Sequence, residues 1–344
     1  MKEIKHIGLK KGMKVSELVD EMENAGFGAK KIAEARRIIN EMIEDKECKV
    51  FLGIAGAMVP GGMKKVIFDM LNDVDVFVTT GANLTHDLIE ALGDKHYHGD
   101  ELVDDKELNK KGIDRMYNVF MKNSVYENLE DFFNKHFDEL KECKNIKEFL
   151  WKLGEILSRE NSAPPTPPQT PLVSVANSLT KQLAPSEVNK SILQKCYEKR
   201  IPIFCPGIAD SGIGLMMWGR IAEGRQKAEP LASSSESQTK GETNIDVFGD
   251  MNEIIDIAWQ AKKSGVIYIG GGLPKNFIQQ SLQFSKGADY GVQITTEPAQ
   301  PGGSSGAPLR EGISWGKMKE NANFVDVFCD VTIALPLILA GIRN

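Results

Sequence analysis

Residues 311–319 read Glu311-Gly312-Ile313-Ser314-Trp315-Gly316-Lys317-Met318-Lys319 and follow a glycine-rich, mostly uncharged stretch, PGGSSGAPLR. A lysine two places after a tryptophan is a pairing that serves amine chemistry. An amine nucleophile must shed its proton near neutral pH, and an apolar wall disfavours the ammonium form. Trp315 can lay an indole face along methylenes and attract ammonium groups, while Glu311, four residues earlier on an expected helical turn, can hold a terminal amine. The substrate that such a trio suits is a polyamine. Taken singly, each has a plainer use: Trp315 as a core anchor, Lys317 as a solvated surface lysine.

The elements that must position these residues follow from hydrophobic period. SELVDEMENAGFGAKKIAEARRIINEMIED has helical spacing, with Ser16 as the expected cap and Gly26 and Gly28 dividing it into two helices. The period then alternates: KVFLGIAG as a strand, GGMKKVIFDMLND as a helix, VDVFVTTGAN as a strand and LTHDLIEALG as a helix. Residues 105–159 read as entirely helical. After residue 200 the alternation returns in IPIFCPGIADSG, GVIYIGGG, LPKNFIQQSLQF, YGVQITT and VDVFCD. Neither half has enough strands for a full sheet, so both are expected to join one doubly wound, mostly parallel, Rossmann-like sheet with helices on both faces, in a single large domain. Two segments, about 158–178 and about 224–244, are rich in Pro or Ser and are expected to be disordered surface insertions.

In open α/β sheets, ligands sit at the carboxyl ends of the strands. Glycine and polar clusters stand there: GIAGAMVPGG, VTTGANLTHD, CPGIADSGIG, IGGGLPKN and ITTEPAQPGGSSGA. Glycine lets backbone approach a phosphate, and a following helix N-terminus offers free N–H groups, so several such loops at one edge point to a nucleotide. Neither GxGxxG nor GxxxxGK[ST] occurs, which disfavours a standard dinucleotide or P-loop site. Asp210 can accept from ribose hydroxyls or cap a helix, and His86 can shuttle a proton or make a structural hydrogen bond. His96-x-His98 lacks a third ligand at fixed spacing, so no metal is expected.

The chain has 344 residues, 41% of them hydrophobic, which is enough for a large core. With Lys+Arg 42 against Asp+Glu 48, it lacks the charge for a broad nucleic-acid face, and a cationic or neutral partner fits better. Five scattered cysteines without CxxC pairing suit reduced thiols. There is no signal-peptide stretch at the N-terminus, and the apolar segment 331–342 is too short to span a bilayer, so a cytoplasmic protein is expected.

IGGGLPKNF, GADYGVQITT, SGAPLREGISWGKM and DVTIALPL together resemble the C-terminal half of deoxyhypusine synthases. FLGIAGAMVPGGM, VTTGANLTHDLIEALG and DDKELNKKGIDRMYNVF are similar to that family's earlier segments, and closer to its archaeal branch than to its animal branch. The resemblance runs from about residue 10 to the end, leaving out the two insertions. It implies transfer, with NAD as cofactor, of the aminobutyl group of spermidine to a lysine of the hypusine-bearing translation factor, through an imine on Lys317. It also implies a homotetramer with NAD sites at subunit interfaces.

The resemblance carries the cofactor-binding role onto Gly56, Ala57, Pro60, Thr80, Gly81, Ala82, His86, Asp210, Gly271, Thr296, Glu297, Asp330 and Val331. It carries the substrate-binding role onto Thr85, His86, Leu215, Asn276, Gly302, Gly303, Ser304, Glu311 and Trp315, with Lys317 and His86 as the catalytic pair. Relative to the animal pattern, acidic residues are replaced at Thr85, His86, Leu215 and Ser304, and a histidine is replaced at Asn276. These changes remove negative charge from a polycation site. They recur in relatives that resemble homospermidine synthases, which use putrescine as acceptor, and they would also suit a non-catalytic regulatory paralogue. Retention of Lys317, Trp315 and Glu311 weighs against the latter.

Overall fold

The computed structural model describes residues 1–162, 190–227, 243 and 245–342. Apolar stretches that are buried on both sides build its centre. Strands β1 (Cys48–Ile54), β2 (Val76–Thr79), β6 (Ile203–Phe204), β7 (Lys263–Ile269), β8 (Ala288–Thr295) and β9 (Met318–Phe328) form one parallel sheet in the order β6-β2-β1-β7-β8-β9. In β1 only Lys49 is exposed. Val50, Leu52 and Ile54 join the apolar cluster on one face, and Phe51 joins the cluster on the other, as the two-residue period of a strand requires.

The two halves of the chain meet inside this sheet. β1 pairs with β2 on one side and, over seven residues from Cys48↔Lys263 to Ile54↔Ile269, with β7 on the other. Strand order therefore reverses between β1 and β7, so that loops from residues near 55 and near 270 leave the sheet side by side.

Helices α1 (Val15–Met22), α2 (Phe27–Glu44), α3 (Lys64–Met70) and α4 (Gly81–Ala91) belong to the first half. α1 starts before the expected cap: Lys14 holds the cap position and donates its backbone N–H to the Glu17 carboxylate at 3.2 Å, while Ser16 lies in the first turn. Gly26 occupies the cap position of α2 and Gly28 lies inside its first turn. A π-helical turn, Val59–Met63, precedes α3 and is kinked at Gly62, whose φ is +82°.

The segment 105–159 is not entirely helical. Only α5 (Asp105–Lys110), α6 (Val125–Leu140) and α7 (Ile146–Ser162) are helices; between α5 and α6, β4 (Ile113–Met116) and β5 (Val119–Lys122) form a hairpin. With β3 (Tyr97–His98) they make a separate antiparallel sheet in the order β3-β5-β4. The reversal at Tyr117-Asn118, with Tyr117 at φ +53°, is a two-residue turn between strands only four residues long. Runs this short give no period to read.

The second half continues with α8 (Ile192–Glu198), α9 (Gly212–Lys227), α10 (Gly249–Gln260), α11 (Gly272–Gln283), α12 (Glu311–Ser314) and α13 (Val331–Ile342). Of the two expected insertions, residues 158–162 and 224–227 are instead helical, as the ends of α7 and α9. Residues 163–178 of the first, and 228–242 and 244 of the second, lie outside the described residues. No described helix is long and apolar enough to cross a membrane.

α7 and α8 touch closely at Gly154, where an added Cβ would stand 2.3 Å from the Leu193 carbonyl oxygen and 2.8 Å from the Tyr197 Cβ. Gly219, inside α9, has nothing within 4 Å of the same position. Gly154→Ala is expected to destabilise the protein by about 1–3 kcal/mol, the usual cost of overpacking. Gly219→Ala is expected to be neutral or to stabilise by up to about 1 kcal/mol through helix propensity. Urea midpoints of the two variants measure the contrast.

Candidate active site

The reversal between β1 and β7 opens a crevice at the carboxyl edge of the sheet, the place where doubly wound sheets bind ligands. On the β1 side, Gly56 has φ +72° and its carbonyl accepts the Thr80 hydroxyl at 2.9 Å. The Asn83 side-chain oxygen accepts the Met58 and Val59 N–H groups at 2.8 and 3.2 Å. The loop bearing Gly56, Ala57 and Pro60 is thus tied to the start of α4, where Thr80, Gly81 and Ala82 lie. The loop after β6 packs on the same helix: a Cβ on Gly81 would stand 2.3 Å from that of Ser211.

On the β7 side Gly270, Gly271 and Gly272 all have positive φ, at 81°, 90° and 57°, which only glycine adopts readily in succession. A Cβ on Gly271 would lie 2.6 Å from the Ser305 Cα, because the loop joining β8 to β9 folds back over this turn. Thr296 and Glu297 follow β8, with the Glu297 N–H held by the Thr295 hydroxyl at 3.1 Å. Asp330 leads into α13, accepting the Thr332 N–H at 2.7 Å and its hydroxyl at 2.6 Å; Val331 is buried behind it.

Every residue expected to contact a dinucleotide thus belongs to the loops and helix starts of this one edge, except His86, which is deeper in α4. Gly56, Ala82, Asp210, Thr296, Glu297 and Asp330 are exposed. Exposed carboxylates and glycine backbone along such a crevice suit the ribose hydroxyls and phosphates of a dinucleotide. An open groove of about 1000 Å³ continues from Ala57, Pro60 and Asp330 to His96, His98 and Tyr117 of the hairpin sheet.

The nucleophile candidate sits on the β8–β9 loop. Glu311 opens α12, Trp315 ends it, and Gly316, at φ +71°, turns the chain so that the Lys317 Nζ stands 5.0 Å from the Trp315 ring centroid. Trp315 is 58% exposed and Lys317 is half-buried. On the same loop Gly302 and Gly303 are exposed, and the Ser304 hydroxyl reaches the Gly272 carbonyl at 3.4 Å. Asn276 is half-buried on α11, and Leu215 is exposed on α9. Thr85 is buried, its hydroxyl taken by the Ile213 N–H at 3.2 Å.

Lys275, the lysine of IGGGLPKNF and given no role by the sequence, is 1% exposed beneath this loop. Burial pushes its ammonium down to about 8; Asp326 and Glu311 oppose that, and Lys317 adds to it. Its burial has no sequence signature, since a lysine on a helix reads as solvated.

His86 faces a buried polar chain. Its Nδ1 is 2.9 Å from the His96 Nε2, and the His96 Nδ1 is 2.9 Å from Glu90. Glu90 and Asp87 flank Lys64 at 3.2 and 3.1 Å, and Asp87 caps α8 through the Ser191 hydroxyl and the Ile192 and Leu193 N–H groups. Among the described residues, no group of three or more His, Cys, Asp or Glu is arranged to hold a metal ion.

Burial, reinforced by the charge of His96, pushes His86 down to about 4. The unfolded chain takes up this proton near 6.5, so between those values the unfolded state binds more protons and stability falls as pH falls. The loss approaches about 1.4 kcal/mol per pH unit at most. Urea midpoints at about pH 7 and about pH 5 are expected to separate more for the native chain than for His86→Asn.

The family model described as deoxyhypusine synthase matches residues 17–342. A protein of Archaeoglobus fulgidus named "Probable deoxyhypusine synthase 1" is 36% identical over 334 residues, covering 96% of this chain and 95% of that protein. One of Methanothermobacter thermautotrophicus, named "Probable deoxyhypusine synthase", is 33% identical over 344 residues, covering 98% and 97%. A crystal structure described as "a putative deoxyhypusine synthase from Entamoeba histolytica" superposes with a TM-score of 0.57 at 19% identity, covering 98% of this chain and 96% of that one, and so shares the fold. With this sheet, this crevice and these relatives, the chain belongs to the deoxyhypusine synthase family of aminobutyltransferases.

Proposed function

We propose that the protein transfers the aminobutyl group of spermidine, with NAD as cofactor, through an imine on Lys317 to a lysine of the hypusine-bearing translation factor. The observation that carries this reading is the Lys317 amine held 5.0 Å from the exposed Trp315 ring on the β8–β9 loop, whose Ser304-Ser305 stretch folds over the glycine turn at the β1/β7 reversal. When bound, NAD supplies a hydride acceptor for the carbon beside the secondary amine and returns the hydride at the end, so no net oxidation results.

The chain's own residues do the rest. Glu311 holds a terminal ammonium, and the exposed indole of Trp315 lies along the methylenes. The Lys317 amine attacks the oxidised carbon, forming an enzyme-bound imine as the C–N bond to the departing 1,3-diaminopropane breaks; the acceptor amine then displaces Lys317. Gly302, Gly303, Ser304 and Asn276 border the polyamine, and Leu215 offers it an apolar surface. Thr85 acts only through the α4–α9 packing it supports. His86, held neutral by burial, orients His96 at the groove rather than serving as a general base at neutral pH.

In the same reading Gly56, Ala57, Pro60, Thr80, Gly81, Ala82, Asp210, Gly271, Thr296, Glu297, Asp330 and Val331 line the cofactor crevice. The protein acts as a cytoplasmic homotetramer, which would cover the exposed apolar Trp218, Leu273, Phe328 and Ile333 around this edge.

Borohydride added to the protein with NAD and labelled spermidine is expected to fix an aminobutyl adduct on Lys317, and Lys317→Arg is expected to abolish both adduct and turnover. Turnover surviving in Lys317→Arg would sink the reading. Offering the translation factor and putrescine in parallel assigns the acceptor. Trp315→Ala is expected to lower kcat/KM for spermidine roughly fivefold, the equivalent of an exposed cation–π contact of about 1 kcal/mol.

A further inference from the structure

We propose that Lys275, Gln293 and Asp326 are positioning residues that together clamp the 304–309 stretch of the β8–β9 loop, which starts over the glycine turn and leads into the short helix that presents Glu311, Trp315 and Lys317. This rests on the reading of Lys317 as the nucleophile. The three side chains come from three elements, α11, β8 and β9, and all grip backbone atoms of one short segment. The Lys275 Nζ donates to the Ser304 and Ala307 carbonyls at 2.7 and 2.6 Å. The Gln293 Nε2 donates to the same Ala307 carbonyl at 3.1 Å, and the Asp326 carboxylate accepts the Leu309 N–H at 3.1 and 3.3 Å.

Packing gives no reason for a lysine here, since a methionine would fill the volume without the cost of burying a charge. What the ammonium supplies is two directional hydrogen bonds to a glycine-rich loop that has few side chains of its own to anchor it. Asp326 supplies part of the compensating charge as well as the Leu309 contact. Beyond the clamp, the Lys317 N–H donates to the Gly312 carbonyl at 2.8 Å and its carbonyl accepts the Ala288 N–H at 3.0 Å, so the loop is fixed on both sides of α12. The other end is also tied: the Gly272 N–H donates to the Ser305 hydroxyl at 3.0 Å, and Lys275 lies in the first turn of the helix that Gly272 begins. The turn that would face the dinucleotide and the loop that would carry the nucleophile are thereby one mechanical unit.

The test compares Lys275→Met, Asp326→Leu and Asp326→Asn with the native full-length chain. Three quantities are read: borohydride-trapped adduct on Lys317, NAD affinity by titration, and amide hydrogen exchange across residues 302–310. Lys275→Met and Asp326→Leu are expected to lose about 10- to 100-fold in trapping rate and kcat, to keep NAD affinity within about threefold, and to exchange faster over that segment. Asp326→Asn retains an acceptor for the Leu309 N–H and is expected to stay within about threefold of the native rate.

Native-like trapping or unchanged exchange in Lys275→Met overturns the clamp, and so does a loss of NAD affinity equal to the loss of trapping. If Lys275→Met does not fold, the Asp326 pair decides: equal loss in the Leu and Asn variants overturns the proposal. If the native chain forms no adduct, the nucleophile reading fails, while the exchange comparison still decides whether the loop is clamped.

Discussion

The parallel pairing of β1 with β7 is the constraint on which the rest of the structure depends. Residues 48–54 and 263–269 are far apart in the chain, and their register sets Ala55 beside Gly270, with the Ala55 N–H bonded to the Ile269 carbonyl at 2.8 Å. Were the register to slip by one residue, the faces of β1 would exchange and Phe51 would enter the wrong cluster. With the register fixed, loops from both halves must leave the sheet at one place. The proposed cofactor crevice needs that convergence, and neither half of the chain supplies it alone.

The loops at this edge are held by one another as much as by the sheet. Asn83 binds the loop after β1, Thr85 binds the start of α9, and Ser305 binds the start of α11. Small residues stand where backbones touch, as at Gly81 against Ser211 and Gly271 against Ser305. The edge is rigid because its polar groups satisfy each other, leaving outward-facing glycines and carboxylates for a ligand.

Legibility in the sequence followed physical cause. β1 and β7 are apolar on both faces and so appear as continuous runs ending in glycine. The hairpin at residues 113–122 was hidden because its strands are short, half-buried and interrupted by charge. The site's glycines and Asp210 were visible from their places after strands. The burial of Lys275 and the partnership of His86 with His96 were not, since both depend on residues brought in from other segments. Ser16 has the residue type of a cap, but the Lys14 backbone, through Glu17, holds that position, and a backbone contact leaves no mark on residue type.

The seam between α7 and α8 has a further consequence. Besides the contact at Gly154, Ser158 reaches Glu198 at 3.0 Å, Asn161 reaches Gln194 at 3.1 Å, and Asp87 holds the first turn of α8 from the sheet side. These contacts, all between described residues, zip the two helices together. Closing a longer connection costs only logarithmically in its length. A change in the length of the connection between them is therefore expected to cost the α7–α8 seam, and the sheet edge it backs, little.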